Sequence, residues 1–317
     1  MTRFTTPVSP VIWGVLSFAL VAACGERTVR PDERERDEQG SLLEPPRASV
    51  QASAAAAPPA SAVPAAPADV SAEAKLLLPI PPREHAPEAP PAGWCGETAI
   101  QEGLLHFGVW APQRIINKAG RPTHPDLYSP DVPVALSELG VKHSFYAGSR
   151  GDGMFEQWIR RALDAGDPVL AGVKILPTIH PEWGLDHFVL VVGYGDKGLL
   201  VNTTWGHRLW VADTTAPGLS FKNAFYAIRL GGVSVAGPAR AARLSLLAAR
   251  EGEAKVKVRV TCTGLQPGAA VRIELRRSRL DETPAWSEEI RATADRVTRE
   301  VAVDADRVAR FQCVALP

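Results

Sequence analysis

Three residues spread along the chain have types that could do chemistry together: Cys95, His187 and Asn202. A thiol attacks a carbonyl well once a base takes its proton, and an imidazole works best as that base when a third group orients it. Cys, His and Asn supply these roles in that chain order. Their wide separation suits a site assembled by folding. Cys95 lies in Gly93-Trp94-Cys95-Gly96. His187 opens the apolar run His187-Phe188-Val189-Leu190-Val191-Val192-Gly193-Tyr194-Gly195, and Asn202 lies in Val201-Asn202-Thr203-Thr204-Trp205-Gly206. Singly, each reads as a buried thiol, a core or edge histidine and a turn asparagine; it is the combination that points to acyl transfer.

The flanking pattern predicts the elements that would position them. Ile100, Leu104, Leu105 and Phe107 recur near helical spacing over 97–107, and Gly108 follows. Cys95 therefore sits just before a helix N-terminus, where the dipole favours a thiolate; Glu97 in the first turn opposes it. The pattern predicts strands over 187–194 and 198–203, joined at Gly195-Asp196. Paired antiparallel, they would bring His187, at the start of one, to Asn202, near the end of the other. Short helices are expected over 112–118, 132–139 and 153–165, and further strands over 168–175 and 225–230. Helices come first and strands later, an α+β pattern.

The last segment, 240–317, alternates polar and apolar residues over 255–260, 271–275, 297–303 and 311–315. Turn signals such as Gln266-Pro267-Gly268 separate them. The expectation is a small β-sandwich. Cys262 and Cys313 both fall in its strands, and an exported chain permits a disulfide between them, which would help so small a core.

The N-terminus reads as an export signal. Arg3 precedes a mostly apolar core over 11–20, and Val21-Ala22-Ala23-Cys24 closes it, too short for a membrane span. The small residues before Cys24 resemble the processing site of bacterial lipoproteins, which implies lipid attachment at Cys24. An ordinary signal peptide is the alternative. Residues 25–87, first charged and then rich in Ala, Pro and Ser, read as a disordered tether. The chain would thus be anchored by lipid at the bacterial cell envelope.

Composition narrows the partners. The 35 basic and 35 acidic residues cancel, and no basic stripe with interleaved aromatics suggests nucleic acid. His180, His187 and His207 lack metal-ligand spacing with nearby Asp or Cys, so neither a metal nor another cofactor is expected. His85, His106, His124 and His143 read as surface or core residues.

Residues 185–195 resemble the histidine motif of papain-like cysteine peptidases, and Asn202 with Trp205-Gly206 resembles that superfamily's asparagine motif, with one extra residue before the Trp. The resemblance implies that Asn202 orients His187 and that Trp205 shields their hydrogen bond. Gly-Trp-Cys-Gly, the compact helical half, and Ala165-Gly166-Asp167-Pro168-Val169-Leu170 before the histidine strand are most similar to the bacteriocin-processing, double-glycine-leader peptidase family. That resemblance covers about residues 88–230. It implies a papain-like fold, a helical half plus an antiparallel sheet, over 88–235, followed by the sandwich over 240–317. It also implies cleavage of peptide bonds in a peptide or protein substrate. One departure is that 87–92 holds no Gln where such families place an oxyanion donor. Cys95 N–H remains as a donor, and Gln101 lies on the wrong side of the nucleophile. The alternatives are a degenerate peptidase fold that binds peptide or protein without cleaving it, and a different Cys-His hydrolase or acyltransferase.

Overall fold

The computed structural model describes residues 70–86, 88–90, 93–148, 152–175, 185–211, 221, 225–235, 237–248, 254–278 and 280–317. The signal at 1–24 with Cys24, and the tether through 69, lie outside the described residues. After a short 3-10 turn (Val70–Glu73), the elements in chain order are β1 (Ala74–Leu77), α1 (Cys95–His106), β2 (Val109–Trp110), α2 (Gln113–Gly120), α3 (Asp131–Glu138), β3 (Val141–Phe145), α4 (Asp152–Asp164), β4 (Val169–Val173), β5 (His187–Gly195), β6 (Gly198–Asn202), β7 (Arg208–Val211) and β8 (Ala227–Val233). The C-terminal segment adds β9 (Arg240–Ala241), β10 (Arg243–Ala248), β11 (Lys255–Thr263), β12 (Ala270–Arg276), β13 (Trp286–Arg291), β14 (Arg296–Asp304) and β15 (Ala309–Ala315). The fold is α+β, and its described strand pairs are antiparallel.

The site-bearing sheet runs β3-β8-β4-β5-β6-β7, with β1 added to β5. Its centre is β5, whose nearly unbroken apolar run is buried along its length. A strand reads that way when both its faces are covered, and α1 and α4 both pack against β5. Every residue of α1 after Cys95 is buried, so this is a helix enclosed on all sides rather than an amphipathic surface helix. Gly103 allows its close approach to the sheet, because a Cβ there would lie 2.4 Å from Leu230 Cδ1.

Two antiparallel sheets, β10-β11-β14 and β13-β12-β15-β2, enclose the second apolar core. Val256, Val258, Val260 and Cys262 are the buried positions of the alternating β11. The structure joins Cys262 on β11 to Cys313 on β15, Cα atoms 6.0 Å apart, so the disulfide ties one sheet to the other. The segments 88–235 and 240–317 are joined by shared packing and strand pairing. Leu105 of α1 and Trp110 of β2 belong to the second core, and β2 pairs with β15. The described residues lie within one compact unit, Ala62–Pro317. The junction depends on Gly108, at φ +76°: a Cβ there would meet Ala242 O at 2.5 Å.

The boundary of the tether also moves. Residues 74–86 are part of the fold, because β1 pairs with β5, Leu78 N–H donates to Val192 O at 2.8 Å, and Leu78 and Ile80 are buried. The apolar patch around residues 75–80 is thus an added strand and a core anchor. Beyond it the chain forms a strap over the β6–β7 hairpin, where Glu84 bridges to Trp205.

Candidate functional site

Cys95 is the first residue of α1, half-buried, with Trp94 at the helix cap. Trp94 is fixed from both ends: its Nε1–H donates to Pro125 O at 2.9 Å, and its carbonyl accepts from Thr98 Oγ1 at 2.7 Å. The Cys95 sulfur faces the backbone N–H of Phe188 and that of Gly96. The Phe188 N–H belongs to the peptide that follows His187, so folding brings Cys95 against the start of β5. Burial pushes the thiol up to about 12. The two N–H groups work against this shift, while Glu97 and Asp126 add to it. Helix-end stabilisation of a thiolate is therefore outweighed here by desolvation and acidic neighbours.

His187 is buried at the head of β5. Its Nε2 lies 3.0 Å from Thr203 O and 3.3 Å from Thr204 Oγ1. A carbonyl oxygen only accepts, so Nε2 carries the proton and Nδ1 holds the lone pair. Trp205 stacks on the ring, centroids 4.6 Å apart and planes 22° from parallel. Burial pushes His187 down to about 4; Thr203 O and Asp186 favour its charged form, and His85 opposes it. The resting pair is thus a neutral thiol and a neutral imidazole. Cys95 Sγ is not among the hydrogen-bond partners of His187 in the described residues.

Asn202 is not the orienter of His187. Its Nδ2 donates to Ile80 O at 3.1 Å, its Oδ1 accepts from Arg208 Nε at 3.1 Å, and its side chain also meets Glu102. The reason is register. Leu190 pairs with Asn202, so these two share a face of the sheet, while His187, three residues earlier, points to the opposite face. Extending the register puts Trp205, not Asn202, across from His187. The extra residue between Asn202 and Trp205 was the sequence signal for this offset. The orienting oxygen is the Thr203 carbonyl, which sequence reasoning passed over because any residue can offer one.

His85 and Thr204 were also missed. His85 Nε2 lies 3.3 Å from Thr204 Oγ1, and its ring packs so closely on Gly93 that a Cβ there would lie 2.2 Å from His85 Cε1. Thr204 takes φ +68°, a left-handed conformation costly for a β-branched residue. No motif marks His85, which approaches from the strap. The missing Gln has no replacement in Gln101 or Gln113. Gln101 donates to Ala111 O at 2.7 Å, and Gln113 holds the strap through Glu84 O and Ala86 N–H, at 2.9 and 2.8 Å.

A second buried polar group supports the helix that begins at Cys95. Glu97 Oε1 accepts from Asn117 Nδ2 at 2.7 Å and from Leu127 N–H at 3.0 Å, anchoring the loop beside Cys95. Burial raises its carboxyl to about 7, and Oε2 has no partner. The arrangement sets a thiol at the head of α1 near the start of β5, where a neutral imidazole with its Nε2–H on Thr203 O lies under the Trp205 ring. No protein-family model, no curated protein and no solved structure matches this chain.

Proposed function

We propose that this chain is a papain-like cysteine hydrolase acting on amide bonds of a peptide or protein, with Cys95 as nucleophile and His187 as base. What supports this reading is that the Phe188 N–H acts on the Cys95 thiol while His187, the residue before Phe188, is held as the Nε2–H tautomer by Thr203 O. In that tautomer Nδ1 is the base. Because the resting pair is neutral, the proton leaves Cys95 as sulfur bonds to the substrate carbonyl, rather than beforehand. His187 then returns that proton to the leaving amine, and water hydrolyses the thioester by the same route. The N–H groups at the start of α1 are the available oxyanion donors. Trp205 keeps water off the imidazole, a role the resemblance to papain-like peptidases also gives it. The envelope location with a lipid on Cys24 belongs to the same proposal; a diacylglyceryl mass on the mature N-terminus would support it.

The test is turnover of a broad peptide library by the full chain. Cys95→Ala should abolish it, and His187→Ala should lose at least ~10³-fold, as when one member of a cooperating pair is removed. Intact turnover in Cys95→Ala would end the proposal. A second reading, a degenerate fold that binds peptide without cleaving it, is favoured by the thiol being pushed up to about 12. Peptide capture without turnover would select it.

A further inference from the structure

We infer that His85 is a positioning residue for His187, acting through the Thr204 hydroxyl, and that its neutral form is required for the base to carry charge. This rests on the hydrolase reading above. The direction of each hydrogen bond follows from the chemistry of the groups. His187 Nε2–H points at Thr203 O, 3.0 Å away, so Nε2 cannot accept from Thr204. Thr204 Oγ1, at 3.3 Å from that same nitrogen, can only offer it a lone pair. The Thr204 O–H is then free to donate to His85 Nε2, also 3.3 Å away. With the His187 N–H shared between Thr203 O and Thr204 Oγ1, and with His85 as its Nδ1–H tautomer, the result is a directed chain from His187 through the Thr204 O–H to a lone pair on His85 Nε2.

That chain strengthens when His187 becomes imidazolium, because its N–H becomes a stronger donor and polarises the hydroxyl toward His85. A protonated His85 reverses the last link. Its own Nε2–H faces the Thr204 oxygen, and its charge opposes the charge that His187 must take. Two features show that the position is built. Thr204 is held at φ +68°, and the imidazole of His85 occupies the space that any side chain at position 93 would need. The first places the hydroxyl between two rings at a conformational cost, and the second fixes the His85 ring beside it. Burial lowers the pKa of His85 from its ordinary value, with Glu84 opposing, which favours its neutral form. The charged groups acting on the pair are Glu84 from the strap, Asp186 beside His187, and Lys174 after β4, which lies 3.8 Å from Asp186. Cys95 meets the start of β5 from α1.

The test compares His85→Gln, whose amide oxygen accepts from Thr204 without titrating, with His85→Leu and with Thr204→Val. In the wild type, the acid limb of log kcat/KM should steepen toward a two-proton slope. In His85→Gln, activity near neutral pH should stay within a few-fold, and the acid limb should fall to a one-proton slope. His85→Leu and Thr204→Val should both lower kcat with little change in KM. A second readout needs no turnover: the His187 ring is titrated by ¹⁵N NMR in the full chain carrying Cys95→Ala. Its midpoint should rise by about 0.5 or more when His85 becomes Gln, as expected for coupled sites. An unchanged slope in an active enzyme, or an unchanged His187 midpoint, overturns the inference. Absent turnover with a shifted midpoint would instead sink the hydrolase reading and leave the coupling standing.

Discussion

Two buried glutamates, one in each half of the molecule, meet opposite fates. Glu102 on α1 has one oxygen on the Arg83 N–H at 2.7 Å, while its Oε2 has no partner. Burial raises it to about 8, despite help from Asn202, Arg83 and Arg208. Glu274 on β12 is also closed to solvent, but it lies in a shallower part of the molecule and so is desolvated less, and both its oxygens are filled: Arg272 Nε at 2.9 Å, Arg276 at 2.8 Å and Gln312 Nε2 at 2.7 Å. Burial raises it too, yet Gln312, Arg276 and Arg272 outweigh that and hold it below the usual carboxylate value. A buried carboxylate survives as a charge only when charged donors occupy it fully. The sandwich meets that condition at Glu274. Around α1 and β5, desolvation moves Cys95, Glu97, Glu102, His106 and His187 toward their neutral forms. Shifted groups cluster in this way at functional sites, and structural ion-pair networks shift them too.

The largest effect should come from breaking the satisfied cluster. Glu274→Ala leaves Arg276, itself buried, without its carboxylate, and should cost about 3–5 kcal/mol of stability. Denaturant unfolding measures it. A loss near zero would mean that the arginines find solvent instead, and the contrast with Glu102 would lose its physical basis.

Next is the disulfide. Replacing Cys262 and Cys313 together by Ala should cost about 2–5 kcal/mol. Because Leu105 of α1 and Trp110 of β2 share that core, the loss should appear across the whole unit as one lowered transition. Separate transitions for the site-bearing sheet and the sandwich would show instead that the shared core does not couple them.

The elements themselves were largely legible in the sequence. Apolar spacing located α1, β5, β6, β11 and β12 within a few residues, because each buries a face whose period the side chains must follow. Cys95 and His187 were visible for the same reason, each being at the mouth of such an element. Asn202 was misread because a strand's period says which residues share a face, but not where its neighbour starts. The register also shifts between Val191 and Gly193, and no local pattern encodes that. β1 was hidden in a Pro-rich run and is held only by long-range pairing. β2 has two residues, and His85 depends on the strap that Gln113 pins. Contacts made by backbone groups, such as Thr203 O, leave no trace in side-chain identity.

Asn202→Ala separates those two roles of asparagine. If Asn202 is a strut between Ile80 O and Arg208, the variant should lose about 1–3 kcal/mol of stability, the cost of buried hydrogen bonds. Its kcat and pH profile should stay close to wild type at a temperature where it is folded. A drop in kcat of ~10²-fold or more with unchanged stability would restore Asn202 as the orienter of His187, and the Thr203 carbonyl would lose that place.

The smallest effect should be a change in how stability responds to pH. Glu102 has a folded value of about 8 against an ordinary 4.5, so between these limits the folded protein binds a proton that the unfolded chain has released. Its contribution is fully present below about 4.5 and is lost as pH rises through about 8. Glu102→Gln removes the titration while keeping an oxygen for the Arg83 N–H. Relative to wild type, the variant should gain about 1–3 kcal/mol on going from pH 5 to pH 9. Glu274→Gln should show the opposite sign. Its folded value lies below the ordinary 4.5, so the wild-type advantage should be present above about 4.5 and vanish as pH falls through the folded value. Denaturant midpoints decide the matter, taken at pH 5 and pH 9 for Glu102→Gln and at about pH 3 and about pH 6 for Glu274→Gln, the windows in which each group titrates. Parallel behaviour of both would mean that the oxygens of Glu102 and Glu274 are equally well satisfied, and the distinction between the two regions would fail.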